Sequence, residues 1–518
     1  MTRNLAVLLC LMLTMGCATR PAKVEKTVAQ RLQDPLTTSL GQLTASQAKV
    51  HGGKSGIILL DSGRQAFTSR VALAGRAQRT LDAQYYIWNA DKTGRILAER
   101  ILSAAEQGVR VRLLLDDYGV GNKDNGLIAL TAHPNIDVRV YNPFNAGFRS
   151  GVRKWMNFLV GFRRLNRRMH SKTFIVDNSL AIVGGRNIGD EYFDASEEMN
   201  HRDRELLAMG PVVESVSQQF DVMWNSEWSI PIGALTSVKL SEQELEERYS
   251  TWHKFADTKD NQPYPLPLTV RGQQALIDGW LEKALWAPAE FVYNPPAITA
   301  GDEKTGTAVA DSLLTLLAQA KAEVLIESAY FTLMDEMLEK LAPLVQRELK
   351  INVLTNSLAS TDVWTIHAGY TRNRKELLKK GVGLYEFRTD ANSCETQVDN
   401  NHLNCTEFKY SLHAKSVVFD RKLVFVGSFN LNPRSQLLNT ETALIIDSPA
   451  LASEIARDIE TNMQPQNSWQ VALNERNKLE WHGTVNGKEQ VIRHEPATSS
   501  LSRFKSATIS LLPLEKYW

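Results

Sequence analysis

Apolar positions along the chain change period several times, and each change marks an element. Residues 81–88, rich in Tyr and Ile, read as a strand. Over residues 94–107 the apolar positions Ile96, Leu97, Ile101 and Leu102 fall on one helical face, and Gly108 supplies the stop. Residues 109–115 and 136–141 predict two further strands, and residues 173–176 and 180–183 a strand pair around the turn Asp177-Asn178. The same order returns downstream: a strand at 323–331, a helix at 335–347 that Pro343 should kink or shorten, strands at 351–355 and 383–387, and a pair at 416–419 and 423–426. Strands alternating with helices in each block predict α/β layers.

The blocks also repeat at residue level. Met169-His170-Ser171-Lys172 through Gly184-Gly185-Arg186-Asn187 corresponds to Leu412-His413-Ala414-Lys415 through Gly427-Ser428-Phe429-Asn430, with each His 17 residues before its Asn. Asp177 and Asp420 stand at matching places. Tyr86 precedes His170 by 84 residues and Tyr330 precedes His413 by 83. Unrelated insertions would not preserve that distance, so internal duplication is the simplest account. The chain then divides into a signal segment (1–17), a polar tether or peripheral helix (18–52), a first half (53–230), a connecting segment (231–305) and a second half with a polar tail (306–518). The connecting segment should hold a helix at 241–251, opened by the capping box Ser241-x-x-Glu244, and none across Pro263, Pro265 and Pro267.

Composition narrows the class. The chain has 518 residues, 43% hydrophobic and 23% charged, which suits two or three globular domains. Lys+Arg 59 against Asp+Glu 58 leaves no basic surplus of the kind a nucleic-acid-coating protein carries. Arg3 and the apolar run at 5–15 read as an export signal too short to span a bilayer. Leu13-Thr14-Met15-Gly16-Cys17 is similar to a bacterial lipoprotein box, although Thr14 stands where Leu is usual. That resemblance implies lipidation at Cys17; a cleaved signal that merely contains cysteine is the alternative. Ala18 after the cysteine, rather than Asp, favours the outer membrane of a Gram-negative envelope. Export brings Cys394 and Cys405 into an oxidising compartment, so a disulfide across that loop is expected, and a zinc site would need ligands beyond His402.

Two His-x-Lys motifs suit a phosphodiester cleaved without metal or other cofactor. One neutral imidazole can attack phosphorus, and a second, protonated one can supply the leaving oxygen with a proton. Lys172, Lys415, Asn187 and Asn430 can hold the non-bridging oxygens, while the backbone at Gly185 and its counterpart Ser428 can approach the phosphate closely. Each imidazole needs its second nitrogen anchored. Glu441 lies 28 residues after His413, and Asp203 and Glu205 lie 33 and 35 after His170; Asp203 is the preferred partner of His170, with Glu205 left open. Asp177 and Asp420 either stabilise their turns or take part directly.

At these residues the chain resembles the phospholipase D superfamily, whose mark is the doubled His-x-Lys-x4-Asp. Residues 81–88, 165–170 and 184–193, together with Leu354-Thr355-Asn356-Ser357-Leu358 and His367-Ala368-Gly369-Tyr370, are similar to the bacterial cardiolipin synthase C-like branch. The likeness runs from about Gly53 to the C-terminus. It implies two pseudo-symmetric α/β/α halves with one active site between them, and ping-pong phosphatidyl transfer through a phosphohistidine. The acceptor it implies is phosphatidylglycerol, with phosphatidylethanolamine as a possible donor, and Asn356, His367, Tyr370 and Tyr86 would line the site. His201-Arg202-Asp203-Arg204-Glu205 departs from the branch, because Arg204 stands where an apolar residue is expected.

Arg149 to Arg168 carries seven basic residues and no acid, interleaved with Trp155, Phe158, Leu159 and Phe162. Such a segment suits a membrane surface beside the site mouth, or packs on its own domain as a solvated basic helix. Rival activities are a hydrolytic phospholipase D, a nuclease of the superfamily and a silent lipid-binding scaffold. The anchor and the neutral charge balance oppose the nuclease; the intact His, Lys and Asn sets oppose the scaffold. One chain carries both halves, so a monomer suffices for the site.

Overall fold

The computed structural model describes residues 24–120, 124–144, 162–301, 307–334, 337–339, 348–400 and 402–510. Two mixed sheets share one plan. In the first, Thr80–Ile87 runs parallel to Arg110–Asp116, which runs parallel to Ile136–Tyr141. On its other side Thr80–Ile87 pairs antiparallel with Thr173–Val176, followed by Leu180–Gly184, Glu205–Met209 and Ser55–Leu60. In the second, Glu323–Ser328, Lys350–Asn356 and Gly383–Phe387 are the parallel trio; Lys415–Phe419, Leu423–Gly427, Thr442–Asp447 and Ala289–Tyr293 follow antiparallel. The duplicated α/β reading therefore holds strand by strand.

Pleating assigns the faces. Leu81, Ala83 and Tyr85 point outward into a core closed by the helices Gly63–Arg76 and Lys92–Glu106. Asp82, on the opposite face, meets Arg112 directly across the ladder, Nε to Oδ1 at 2.7 Å. Between the sheets lies one core fed by both halves, including Leu114, Val183 and Leu206 from the first and Leu354, Val426 and Leu444 from the second. The helices Val212–Asn225 and Pro449–Asn462 sit in this middle layer. A short parallel pair, Met199–Arg202 with Lys409–Leu412, stitches the halves together immediately before His413.

Several boundaries differ from the sequence reading. From residue 24 on, the segment expected as a tether or peripheral helix is docked: Lys26 Nζ donates to the carbonyl of Ser229 at 2.9 Å, and Ser39–Val50 is the helix of that alternative, with Leu40 buried. The connecting segment belongs to both sheets, since Leu285–Ala287 pairs with Ser55–Leu60 while Ala289–Tyr293 edges the second sheet. Its capped helix runs on as Glu242–Asp257, and no helix crosses the three prolines. The tail is structured: Ser468–Leu473, Leu479–Val485 and Lys488–Ile492 extend the second sheet because Trp469, Val471 and Trp481 are buried in its outer core. Most of the predicted helix at 335–347 falls outside the described residues. Cys394 and Cys405 form a disulfide with Cα atoms 6.0 Å apart.

Candidate active site between the halves

Both His-x-Lys segments enter strands from the same side, so the fold delivers His170 and His413 to one cavity of about 390 Å³. Asn187, Asn430 and Tyr86 line it too, with Tyr330 and Tyr192. Each imidazole rests against a tyrosine of its own half: Tyr86 is 5.2 Å from His170 and Tyr330 is 6.3 Å from His413, ring centre to ring centre. Lys172 and Lys415 lie beneath those tyrosine rings, at 5.4 and 5.9 Å. Each ammonium donates to the carbonyl of its neighbouring histidine.

The anchoring carboxylates cross between the halves. His170 Nδ1 meets Glu441 Oε2 at 3.0 Å, and His413 Nδ1 meets Asp203 Oδ2 at 2.5 Å. Neither Asp203 nor Glu205 holds His170; Glu205 forms a buried ion pair with Arg70 at 2.6 Å. The backbone explains the exchange. The His170 N–H donates to the Thr440 carbonyl at 3.0 Å, and the His413 N–H to the Arg202 carbonyl at 2.7 Å, so each histidine loop is laced to the residue beside the other half's carboxylate. A carboxylate accepting Nδ1–H leaves the Nε2 lone pair for the cavity.

Burial dominates the electrostatics. It pushes the His170 imidazole down to about 4, against the opposing pull of Glu441, and holds His413 well below its ordinary value with help from Lys415. It also lowers Lys172 to about 7 and Lys415 to about 8. An anion entering the cavity opposes these shifts, because opposite charge favours the protonated forms.

Other expected residues have different places. Asp177 accepts from the backbone N–H groups of Gln78, Arg79 and Thr80, and Asp420 from those of Lys321, Ala322 and Glu323. Both lie at the far ends of the strands that start beside Lys172 and Lys415, so the turn role is the one the structure supports. Gly185 and Ser428 do not line the cavity. A Cβ on Gly185 would come within 2.4 Å of Asp203 Oδ1, and the Ser428 hydroxyl donates to Glu441. Their N–H groups donate to the carbonyls of Arg204 and Thr442 and are thus taken up by backbone partners rather than turned to a phosphate. Asn356, His367 and Tyr370 also lie off the cavity. The Asn356 amide ties the Ala329 and Leu412 carbonyls, and His367 packs on Tyr370 beside Arg374. Trp155, Phe158 and Leu159 fall outside the described residues.

Sequence reading missed Asp362, Arg434, Tyr192 and His201. Asp362 lines the cavity and accepts the Tyr330 hydroxyl at 2.7 Å. Burial opposes its ionisation, yet His201, His413 and Tyr330 hold it below the ordinary carboxylate value. His201 and Tyr192 flank His413 with ring centres 5.2 Å from it. Aligning the two copies at Asn187 and Asn430 would have exposed Arg434, which stands where the first copy has Glu191. Arg204, the departure from the family pattern, is buried against Glu327 and Asp458 and bonds Ser416 at 2.6 Å, away from the cavity.

Comparison with known proteins shows the family. A family model described as "Cardiolipin synthase, PLD-like domain" matches residues 71–224 and 313–463. Cardiolipin synthase C of Escherichia coli is 38% identical over 474 residues, covering 90% of this chain and 96% of that protein. Cardiolipin synthase B of the same species is 24% identical over 75% of this chain and 76% of its own length. Among solved structures, phosphatidylserine synthase of Haemophilus influenzae shares the fold with a TM-score of 0.55 at 13% identity, covering 90% of this chain and 96% of that one.

Proposed function

The chain belongs to the cardiolipin synthase branch of the phospholipase D superfamily, and from that premise we propose that it makes cardiolipin-type lipid through a phosphohistidine. The supporting observation is the pair of imidazoles on one cavity, each anchored through Nδ1 by the other half's carboxylate. In the first step Nε2 of one histidine attacks the phosphorus of a donor phospholipid. A P–N bond forms, the P–O bond to the donor headgroup breaks, and the second imidazole protonates the departing alkoxide. In the second step that imidazole removes the proton from an acceptor hydroxyl. The new P–O bond forms as the P–N bond breaks. Asn187 and Asn430 line the cavity, Lys172 and Lys415 lie buried against its tyrosines, and these four stabilise charge on the non-bridging oxygens. The acceptor is phosphatidylglycerol, and phosphatidylethanolamine serves as a donor.

Purified protein fed labelled phosphatidylglycerol, with and without phosphatidylethanolamine, tests this. Labelled cardiolipin is expected, at unchanged rate in the presence of chelator. Phosphatidic acid as the sole product makes the protein a hydrolase instead. Activity lost to chelator and restored by zinc or magnesium removes the metal-free mechanism.

Membrane attachment rests on Cys17 and on the basic, aromatic segment at 149–168. Among the described residues no helix is long and apolar enough to cross a membrane. Lipidation at Cys17 places the protein on an envelope membrane facing the periplasm, the outer membrane by the Ala18 criterion. Mass spectrometry of the mature N-terminus decides it: an unmodified terminus other than Cys17 ends the assignment. For the segment, replacing Trp155 and Phe158 by Ser should weaken vesicle binding of unacylated protein, and equal binding rejects docking.

A further inference from the structure

The pseudo-symmetry that duplicates the histidines breaks in the cavity wall. Four residues after Asn430 stands Arg434, while four after Asn187 stands Glu191. Glu191 lies off the cavity and accepts from Asn89 Nδ2 at 2.9 Å. Arg434 reaches across to the first half and lines the cavity near Tyr86 and Tyr118. Among the described residues its guanidinium donates to one neutral residue, to Asn166 Oδ1 at 2.8 Å and to the Asn166 carbonyl at 3.0 Å. Among the described residues no carboxylate lies within 4.0 Å of it. Arg168, its cationic neighbour on the same wall, differs, being paired with Asp116 at 3.3 Å. Burial disfavours the charge on Arg434 and Arg168 adds to that cost, which the more distant Asp116 and the Tyr86 and Tyr118 rings offset only in part. The opposite side of the cavity, around His413, carries the Asp362 carboxylate. The site is thus polarised, with a guanidinium that touches no described carboxylate on one side and the Asp362 acid on the other.

We infer that Arg434 is an anion subsite for the phosphate of the acceptor phospholipid, one glycerol away from the phosphorus under transfer, and that it thereby selects a lipid alcohol over water. This rests on the phosphatidyltransferase reading and adds the residue that recognises the acceptor. A guanidinium suits a phosphodiester because its planar fork can donate two parallel hydrogen bonds to two oxygens.

The test compares two acceptors, phosphatidylglycerol and free glycerol, with one labelled donor. Both offer the same alcohol, and only the first carries a phosphate. The ratio of their kcat/KM values cancels any loss of folded protein. Arg434→Gln should cut that ratio about tenfold or more, raise KM for phosphatidylglycerol, and increase the share of turnovers ending in water. Arg434→Lys, which keeps charge without the fork, should fall between. A ratio unchanged in Arg434→Gln overturns the assignment and leaves Arg434 a brace for Asn166. Failure of the wild-type protein to transfer to either acceptor removes the underlying phosphatidyltransferase reading instead.

Discussion

The two halves match at the histidines and differ at the walls. Tyr86 and Tyr330 occupy equivalent positions, yet Tyr86 stacks on Tyr118 at 5.7 Å whereas Tyr330 donates to Asp362. Lys172 and Lys415 repeat, as do Asn187 and Asn430, but Arg434 faces the cavity where its counterpart Glu191 does not. Chemistry at phosphorus needs two like groups on opposite sides of one atom, which duplication supplies. Telling a donor from an acceptor needs unlike surroundings, which divergence of the walls supplies. The crossed carboxylates add a second lesson. Neither half contains a complete His–carboxylate unit, so the catalytic pairs exist only when the halves are docked.

Four experiments press on this comparison. The largest effect is expected from His170→Ala and His413→Ala, each lowering transfer by about four orders of magnitude or more in a radiolabel assay. Substantial transfer in either variant breaks the functional equivalence. Next, Glu441→Gln and Asp203→Asn should each lower kcat about 10²–10⁴-fold by releasing an imidazole from its orientation. The diagnostic is imidazole titration by NMR. Because Glu441 raises the His170 value, Glu441→Gln should move His170 further down and His413 less; the reverse pattern refutes the crossing.

Third comes pH. Lys172 and Lys415 carry their charge only below about 7 and 8, so it is lost as pH rises through that window. If the charge holds the phosphate, kcat/KM, which reports the free protein, should fall with alkaline pH through 7 to 8 rather than near 10.5. A flat profile to pH 9 excludes that role. The smallest effects on activity belong to the turn carboxylates. Asp177→Ala should cost about 2–4 kcal/mol of stability and Asp420→Ala about 1 kcal/mol in urea unfolding, because Asp177 is fully buried and Asp420 is not. Both should keep kcat within about fivefold at temperatures where they stay folded, as expected of groups bonded only to backbone. A loss as large as that of the histidine variants would restore the direct role.

Much of the fold was legible because strand patterns are local. Thr80–Ile87, Ile136–Tyr141 and Gly383–Phe387 follow from β-branched and aromatic runs bounded by turns. The strands after residue 467 were missed because charged and polar residues alternate with Trp469 and Trp481, and two buried indoles do not make a visible period. Leu285–Ala287 and Ala289–Tyr293 were missed for another reason: each is an edge strand fixed by a partner far away in sequence.

What the chain determined by itself is the inventory: two His-x-Lys sets, their asparagines, their acids and the spacing that places each set on the same strand turn of a repeated α/β unit. Motif spacing is a covalent fact, and local periodicity carries it into structure. Pairing is not local. Which carboxylate meets which imidazole, that Asn356 braces a loop instead of lining the site, and that Arg434 rather than Glu191 looks into the cavity were all decided by docking one sheet's face on the other. At that face the partners come from opposite halves of the chain, and no period along either half records them.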